Sequence, residues 1–324
     1  MNNLRRLDLG LAVVAALVSV GGLAGAQQQK GPKGVGPKDI ERLQALIDDY
    51  KRLEPLKVTK INENIYLAKG GRGGNDANVG FVVGTSGVIF VDSKNSPESE
   101  KDVLAEIAKI TPEPVNTAII LHSDHEFGIT ALPAGLTIIA QENTKKEMEV
   151  STARDAVPRE YFPTKTIGKD ETMTIDGVRV RLLHWAPAHT SGDLTTYFPD
   201  QKVVFAGDLI VTDFPLAGTQ IHPELNGSVA GWIESIKEML ALDAETYVSG
   251  HGDLFTKNDV RTKLAFIEDK WDKMKPMVAQ GKSLDEIKTA LGESTEPPKR
   301  NAPGTLPPPM VTTEVIYNEM TSKK

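Results

Sequence analysis

The hydrophobic period of this chain alternates between strand and helix, and this limits its fold more than any other feature. Between residues 57 and 92, KVTKI, NIYLAKG, ANVGFVVG and GVIFVD are short, β-branched and broken by Asn-Glu, Gly-rich and Thr-Ser-Gly turns, the pattern of a strand meander. Ser96-Pro97 then opens a helix through Ile110, with Pro at the first helical position and acids in the first turn. The buried strand VNTAIIL at 115–121 runs straight into His122, and LTIIA followed by QENTKKEMEV makes another short unit of strand and helix. The chain returns to strands where Asp176-Gly177 joins ETMTI to VRVRLLHW as a two-residue hairpin, with DLTTYFP and KVVFAGD after it. A helix at 228–242, whose Trp232, Met239 and Leu240 read as core, a strand at 245–250 and long helices from about 256 to 292 follow. Strand blocks interleaved with helices, twice over, predict two β-sheets with helices on their outer faces.

The ends read differently. Residues 1–26 have Arg5 and Arg6 before an apolar run from Leu9 to Val20 and the small residues Ala24-Gly25-Ala26, the pattern of a signal peptide cleaved after Ala26. The apolar run is shorter than a membrane span needs, and Asp8 sits where a twin-Arg signal prefers apolar residues. The expected location is periplasmic or secreted, with no stable membrane span after cleavage. Residues 27–37 form a polar, Gly- and Pro-containing lead-in. From Lys38, the apolar residues Ile40, Leu43, Leu46, Ile47, Tyr50 and Leu53 recur at helical spacing, predicting an amphipathic helix that we place outside the main core. The predicted domain spans 57–292, after a lead-in and helix at 27–56. A tail at 293–324 follows, with a Pro-rich stretch and a last helix at VTTEVIYNEM.

Composition narrows the chemistry. The 324 residues contain no Cys, which removes disulfides, thiolate zinc sites and thiol nucleophiles, so a metal must be held by His, Asp or Glu. With 44 acidic against 37 basic residues, the chain is net −7, a balance that disfavours non-specific nucleic-acid binding. Apolar residues make up 40%, enough for a sizeable core.

Four of the six His and two Asp fall at strand ends or in the loops just after them, where a rigid scaffold presents ligands to one cleft. They are His122, Asp124 and His125 in LHSDHEFG, His189 in APAHTSGD, Asp208 in VVFAGDLIV and His251 in VSGHGD. Any one of them alone would be an ordinary turn residue. Together they predict a metal site. His184, on VRVRLLHW, reads as a structural imidazole, and His222, in the 219–223 loop, could line the pocket or simply be exposed. Gly70-Gly71-Arg72-Gly73-Gly74 precedes a strand rather than a helix, so it reads as a mobile hairpin near the cleft, not a phosphate cradle.

With these motifs in place, the chain resembles the metallo-β-lactamase-fold hydrolases from about Lys57 to about Leu291, including Asp92 at the end of the meander. The resemblance implies an α/β fold, an αββα sandwich of two mixed β-sheets, with the metals in the cleft between the sheets. It also implies that His122 and His189 bind a first metal, that Asp124, His125 and His251 bind a second, and that Asp208 bridges them. The family motif is HxHxDH, and its first His position is Ile120 here. Loss of that imidazole should weaken the first site by at least the roughly 10–100-fold that outer-shell losses cost. By strand alternation, Ile120 is expected to share the face of His122 and to point at the cleft.

The function expected is hydrolysis of a small-molecule ester, thioester, lactone or amide. A divalent metal lowers the pKa of bound water from 15.7 to about 7 and polarises the scissile carbonyl. Asp124 is the expected catalytic residue, orienting that water. Zinc (Zn2+) is the expected ion, one tight and a second weaker, and a His and carboxylate shell also suits iron or manganese. No GxSxG is present, and Val211 stands where relatives that grip a β-lactam carboxylate often carry Lys. The alternative is a metal-binding or sensing protein with little turnover, a reading that rests on Ile120.

Overall fold

Seven strands form the first sheet in sequence order. In the computed structural model they are β1 (Lys57–Lys60), β2 (Ile65–Lys69), β3 (Val79–Val83), β4 (Val88–Val91), β5 (Val115–Ile119), β6 (Thr137–Gln141) and β7 (Lys165–Ile167). The meander through β4 is antiparallel, and β4 to β7 run parallel, with helices α2 (Pro97–Ile110) and α3 (Glu142–Val150) in the connections. The structure describes residues 31–50, 55–72, 76–124, 126–151, 157–212, 214–296 and 311–322. The signal segment, Gly73-Gly74 and His125 therefore lie outside the described residues.

The second sheet contains β8 (Asp170–Ile175), β9 (Val178–Leu183), β10 (Thr195–Phe198), β11 (Val203–Phe205), β12 (Thr246–Val248) and β13 (Phe255–Thr256). Only β11 and β12 pair in parallel, since helix α4 (Val229–Ala241) lies between them in the chain. Asp176 and Gly177 have φ of 47° and 80°, the paired positive values that a two-residue hairpin turn requires.

Alternation along the strands assigns three apolar layers. Ile65, Val91, Ile119 and Leu121 of the first sheet meet Val180, Leu182, Phe198 and Phe205 of the second. Ala118 and Ile138 face α2 and α3, burying Val103, Ile107 and Met148, whereas Tyr197, Val204 and Tyr247 face the helices over the second sheet. Each fully buried side chain of this size contributes about 1.5–3 kcal/mol. The result is the expected αββα sandwich of two mixed sheets.

One expectation is overturned. Ile120 is fully buried in the layer beneath α2 and α3, on the sheet face opposite the inter-sheet core that holds Ile119 and Leu121. Its N–H donates to the Ile139 carbonyl at 2.8 Å, so it is still in the ladder and keeps strand alternation. The Leu121 carbonyl instead accepts from Leu194, the residue before β10, at 2.7 Å. The ladder ends there, and the period of two no longer relates Ile120 to His122.

The helices over the second sheet include more of the chain than its sequence suggests. α1 (Pro37–Tyr50) inserts Leu43, Leu46 and Ile47 into that layer and packs on α5 (Lys257–Ala279), which a Thr256/Asp259 capping box opens. α6 (Leu284–Ala290) follows. The last helix, α7 (Thr312–Thr321), buries Val315 and Ile316 in the same layer. Its Glu319 carboxylate accepts from the N–H groups of Val229 at 2.5 Å and Ala230 at 3.2 Å, satisfying free donors at the start of α4. The terminal helix is thus part of the core, not an appended tail. Among the described residues, no helix is long and apolar enough to cross a membrane.

Candidate metal centre

The site lies where strands of both sheets end. His122 follows β5, His189 lies on the loop between β9 and β10, Asp208 follows β11 and His251 follows β12. Gly250 lets two of these loops close: a β-carbon there would stand 1.8 Å from Asp208 Oδ1. Opposite, Asn78 donates from its side-chain amide to the carbonyls of Ser249 at 2.9 Å and Gly252 at 2.8 Å, fixing the His251 loop against the first sheet.

His122, Asp124, His189 and Asp208 each offer one ligand atom, and these four atoms lie within 4.8 Å of one another. His122, His189 and Asp208 are buried and Asp124 nearly so. His122 Nδ1 meets Asp124 Oδ1, and its Nε2 lies 3.8 Å from Asp92 Oδ2 and 3.9 Å from Asp208 Oδ1. His189 Nε2 lies 3.3 Å from Asp124 Oδ2 and 3.8 Å from Asp208 Oδ2. His251 Nε2 approaches Asp208 Oδ2 at 3.4 Å, on the margin of the four-residue group. Asp124, expected with the second metal, thus stands against both imidazoles of the first.

Two imidazoles and two carboxylates with no thiolate suit a divalent ion of the zinc, iron or manganese type. The local field points the same way. Burial opposes a charge on His189, but Asp124, with Asp208 and Asp193 behind it, more than offsets this and raises the imidazole to about 10. The site draws in positive charge, whether a proton or a metal.

Its supports are built from the same loops. Asp193, pushed up by burial, accepts from the N–H and hydroxyl of Thr190 at 3.0 and 2.8 Å, which shapes the HTSGD turn. Asp92 sits at φ 69°, a conformation costing on the order of 1–2 kcal/mol for a residue with a β-carbon. His184 lies outside the cluster, with Nδ1 on the Asp193 carbonyl at 2.8 Å. His222, whose position the sequence left open, faces the site, with Nε2 3.3 Å from Asp124 Oδ2. Sequence reasoning missed Glu147 of α3, which accepts hydroxyls from Ser123 and Ser191; no spacing in the chain marks it. The Gly-rich stretch is anchored at its start, where the Gly70 carbonyl accepts from Lys94 Nζ at 2.8 Å.

A sequence profile of the metallo-beta-lactamase superfamily matches residues 72–251, and the chain belongs to that superfamily. Its members are metal-dependent hydrolases that bind divalent metals, usually zinc. The chain is 29% identical over 175 residues to the 2,4-dinitroanisole O-demethylase subunit alpha of Nocardioides sp. (strain JS1661), covering 52% of this chain and 51% of that subunit. It is 24% identical over 216 residues to the linear primary-alkylsulfatase of Pseudomonas sp. (strain ATCC 19151), covering 51% of this chain and 39% of that enzyme. The match thus spans about half or less of either relative. Among solved structures, a metallo-beta-lactamase from Pontibacter korlensis superposes with a TM-score of 0.55 at 19% identity, covering 66% of this chain and 100% of that one, which supports the fold alone.

Proposed function

We propose that this protein hydrolyses a small-molecule ester, thioester, lactone or amide with a divalent metal, preferentially zinc, held by His122, Asp124, His189 and Asp208. The observation that carries this reading is the gathering of those four ligand atoms, from both sheets, within 4.8 Å. By the resemblance to the superfamily, His251 and His125 would serve a second ion. When bound, the metal supplies Lewis acidity, polarising a carbonyl and making water a nucleophile at neutral pH.

The chain's own groups supply the rest. Asp124, in reach of several imidazoles, is placed to hold and orient the attacking water, and Asp208 anchors the ligand set to the second sheet. Val211 is buried and offers no cation to a lactam carboxylate, which argues against a β-lactam substrate. The names of the relatives point to O-demethylation of 2,4-dinitroanisole and to primary alkyl sulfates, so both compounds belong in a substrate panel beside acyl esters, thioesters and lactones.

The test is metal analysis of the purified chain together with that panel, before and after chelation and on adding metal back. Turnover lost on chelation and regained with zinc is the expected result. Bound metal without turnover on any substrate would favour the sensing alternative, and absence of bound metal would end both readings.

A further inference from the structure

We infer that His222 is a metal ligand of this site, supplying an imidazole in place of the one that the family motif carries where this chain has Ile120. The inference rests on the metal reading above and concerns a residue outside every motif that led to it.

The geometry has three parts. His222 Nε2 and His189 Nε2 each lie 3.3 Å from the same oxygen, Asp124 Oδ2, and the two rings meet edge to face with centroids 4.9 Å apart. His222 therefore borders the four-residue group and shares one of its carboxylate oxygens with His189. Its Nδ1 lies 2.6 Å from Glu224 Oε1, an acceptor for the Nδ1 proton, and its Nε2 is the nitrogen turned to the site. A carboxylate behind an imidazole is the usual arrangement for a histidine that binds metal. His189 is held in the same sense by the Gln220 carbonyl, 3.3 Å from its Nδ1.

The backbone makes this placement rigid. His222 N–H donates to the His189 carbonyl at 2.8 Å, and Ser191 N–H donates to the Leu225 carbonyl at 2.8 Å, so the two histidine loops are stitched together. The remaining partner of His222 is the Gln220 side-chain amide, 3.1 Å from Nε2. The amide and Asp124 Oδ2 both lie at Nε2, the atom a metal would take, and the amide must swing aside when it does. Ile120 is buried on the far face of the first sheet, so the nitrogen it lacks is provided from the other side of the cleft.

The experiment is titration of the metal-free full chain with Zn2+ against a chromogenic chelator, for the unaltered protein, His222→Ala and His189→Ala. Both variants should lose at least about tenfold in affinity, the lower end of what supporting-residue losses cost. If His189→Ala loses metal and His222→Ala binds like the unaltered protein, the inference is overturned and the metal reading stands. If neither variant loses affinity, both are overturned. Nitrogen-15 NMR of the histidine-labelled unaltered protein gives a readout independent of any variant's folding. The His222 Nε2 resonance should move to the metal-bound range with zinc, and its staying in place while His189 moves would also overturn the inference.

Discussion

Glu147 accepts the Ser123 hydroxyl at 2.5 Å, joining α3 to the turn that carries His122 and Asp124. Its other oxygen accepts Ser191 at 2.6 Å, so one carboxylate ties together the loops of three proposed ligands. Glu147→Ala should weaken zinc binding by roughly 10-fold, within the range for residues that orient ligands. Glu147→Gln, which can still accept one hydroxyl, should lose less. Competition titration against a chelator measures both, and equal, unchanged affinities would show that the serines need no tether.

Ile120→His is a test of the strand ending rather than a repair of the motif. The new imidazole would lie among Ile129, Ile138 and Ala140, with no metal within reach. Burying an unsatisfied polar ring there should cost about 1–3 kcal/mol and leave zinc stoichiometry unchanged. Thermal melting with and without chelator reads both. A gain in metal affinity would mean that Ile120 faces the cleft after all.

Lys94 and Glu100 predict a pH dependence of stability. Lys94 Nζ is buried against the carbonyls of Ala68, Gly70 and Ala77, and Glu100 Oε2 accepts the Lys94 N–H at 2.9 Å. Burial lowers Lys94 from 10.5 to about 8 and raises Glu100 from 4.5 to about 8. The raised acid contributes stability that is complete below pH 4.5 and is lost as pH rises through 8. The depressed base contributes stability that is complete above pH 10.5 and is lost as pH falls through 8. Their joint contribution is therefore smallest near pH 8. Glu100→Gln keeps an acceptor and removes the first loss, so its stability relative to the unaltered protein should improve between pH 4.5 and 8. Urea unfolding at the two pH values checks this, and a constant difference would refute it.

Removal of α7 should destabilise the domain rather than trim a tail. Val315 and Ile316 are buried, and Glu319 caps α4. Glu319→Ala alone should cost about 0.5–2 kcal/mol, the range for a lost helix cap. A chain ending before Thr312 should melt well below the full chain. Unchanged melting of the shortened chain would mean that α7 adds no stability.

Strand and helix order was legible because each segment carried its own local signal. Ser96-Pro97 opens α2, Asp176-Gly177 turns the β8–β9 hairpin, and the period of two sorts Val203 and Phe205 from Val204. His122, Asp124, His189 and Asp208 were legible because each follows a buried strand or stands by a glycine turn. Ile120 was misread because alternation was extended one residue past the end of a ladder, and that end is set by Leu194, far away in sequence. His222 was undecided for a related reason. Its carboxylate partner two residues on was visible, but its approach to Asp124 depends on a loop pairing that no local pattern encodes.

The proposed ligands come from opposite sheets and from strands with long stretches of chain between them. Closing those stretches carries an entropy cost that precedes any contact between the ligands, so the centre can form only once the two sheets have docked. An ion held there acts on a contact that is absent while the chain is still assembling. Zinc should therefore leave the refolding rate almost untouched and slow unfolding, making the occupied centre a clasp on kinetic lifetime rather than a nucleus for folding.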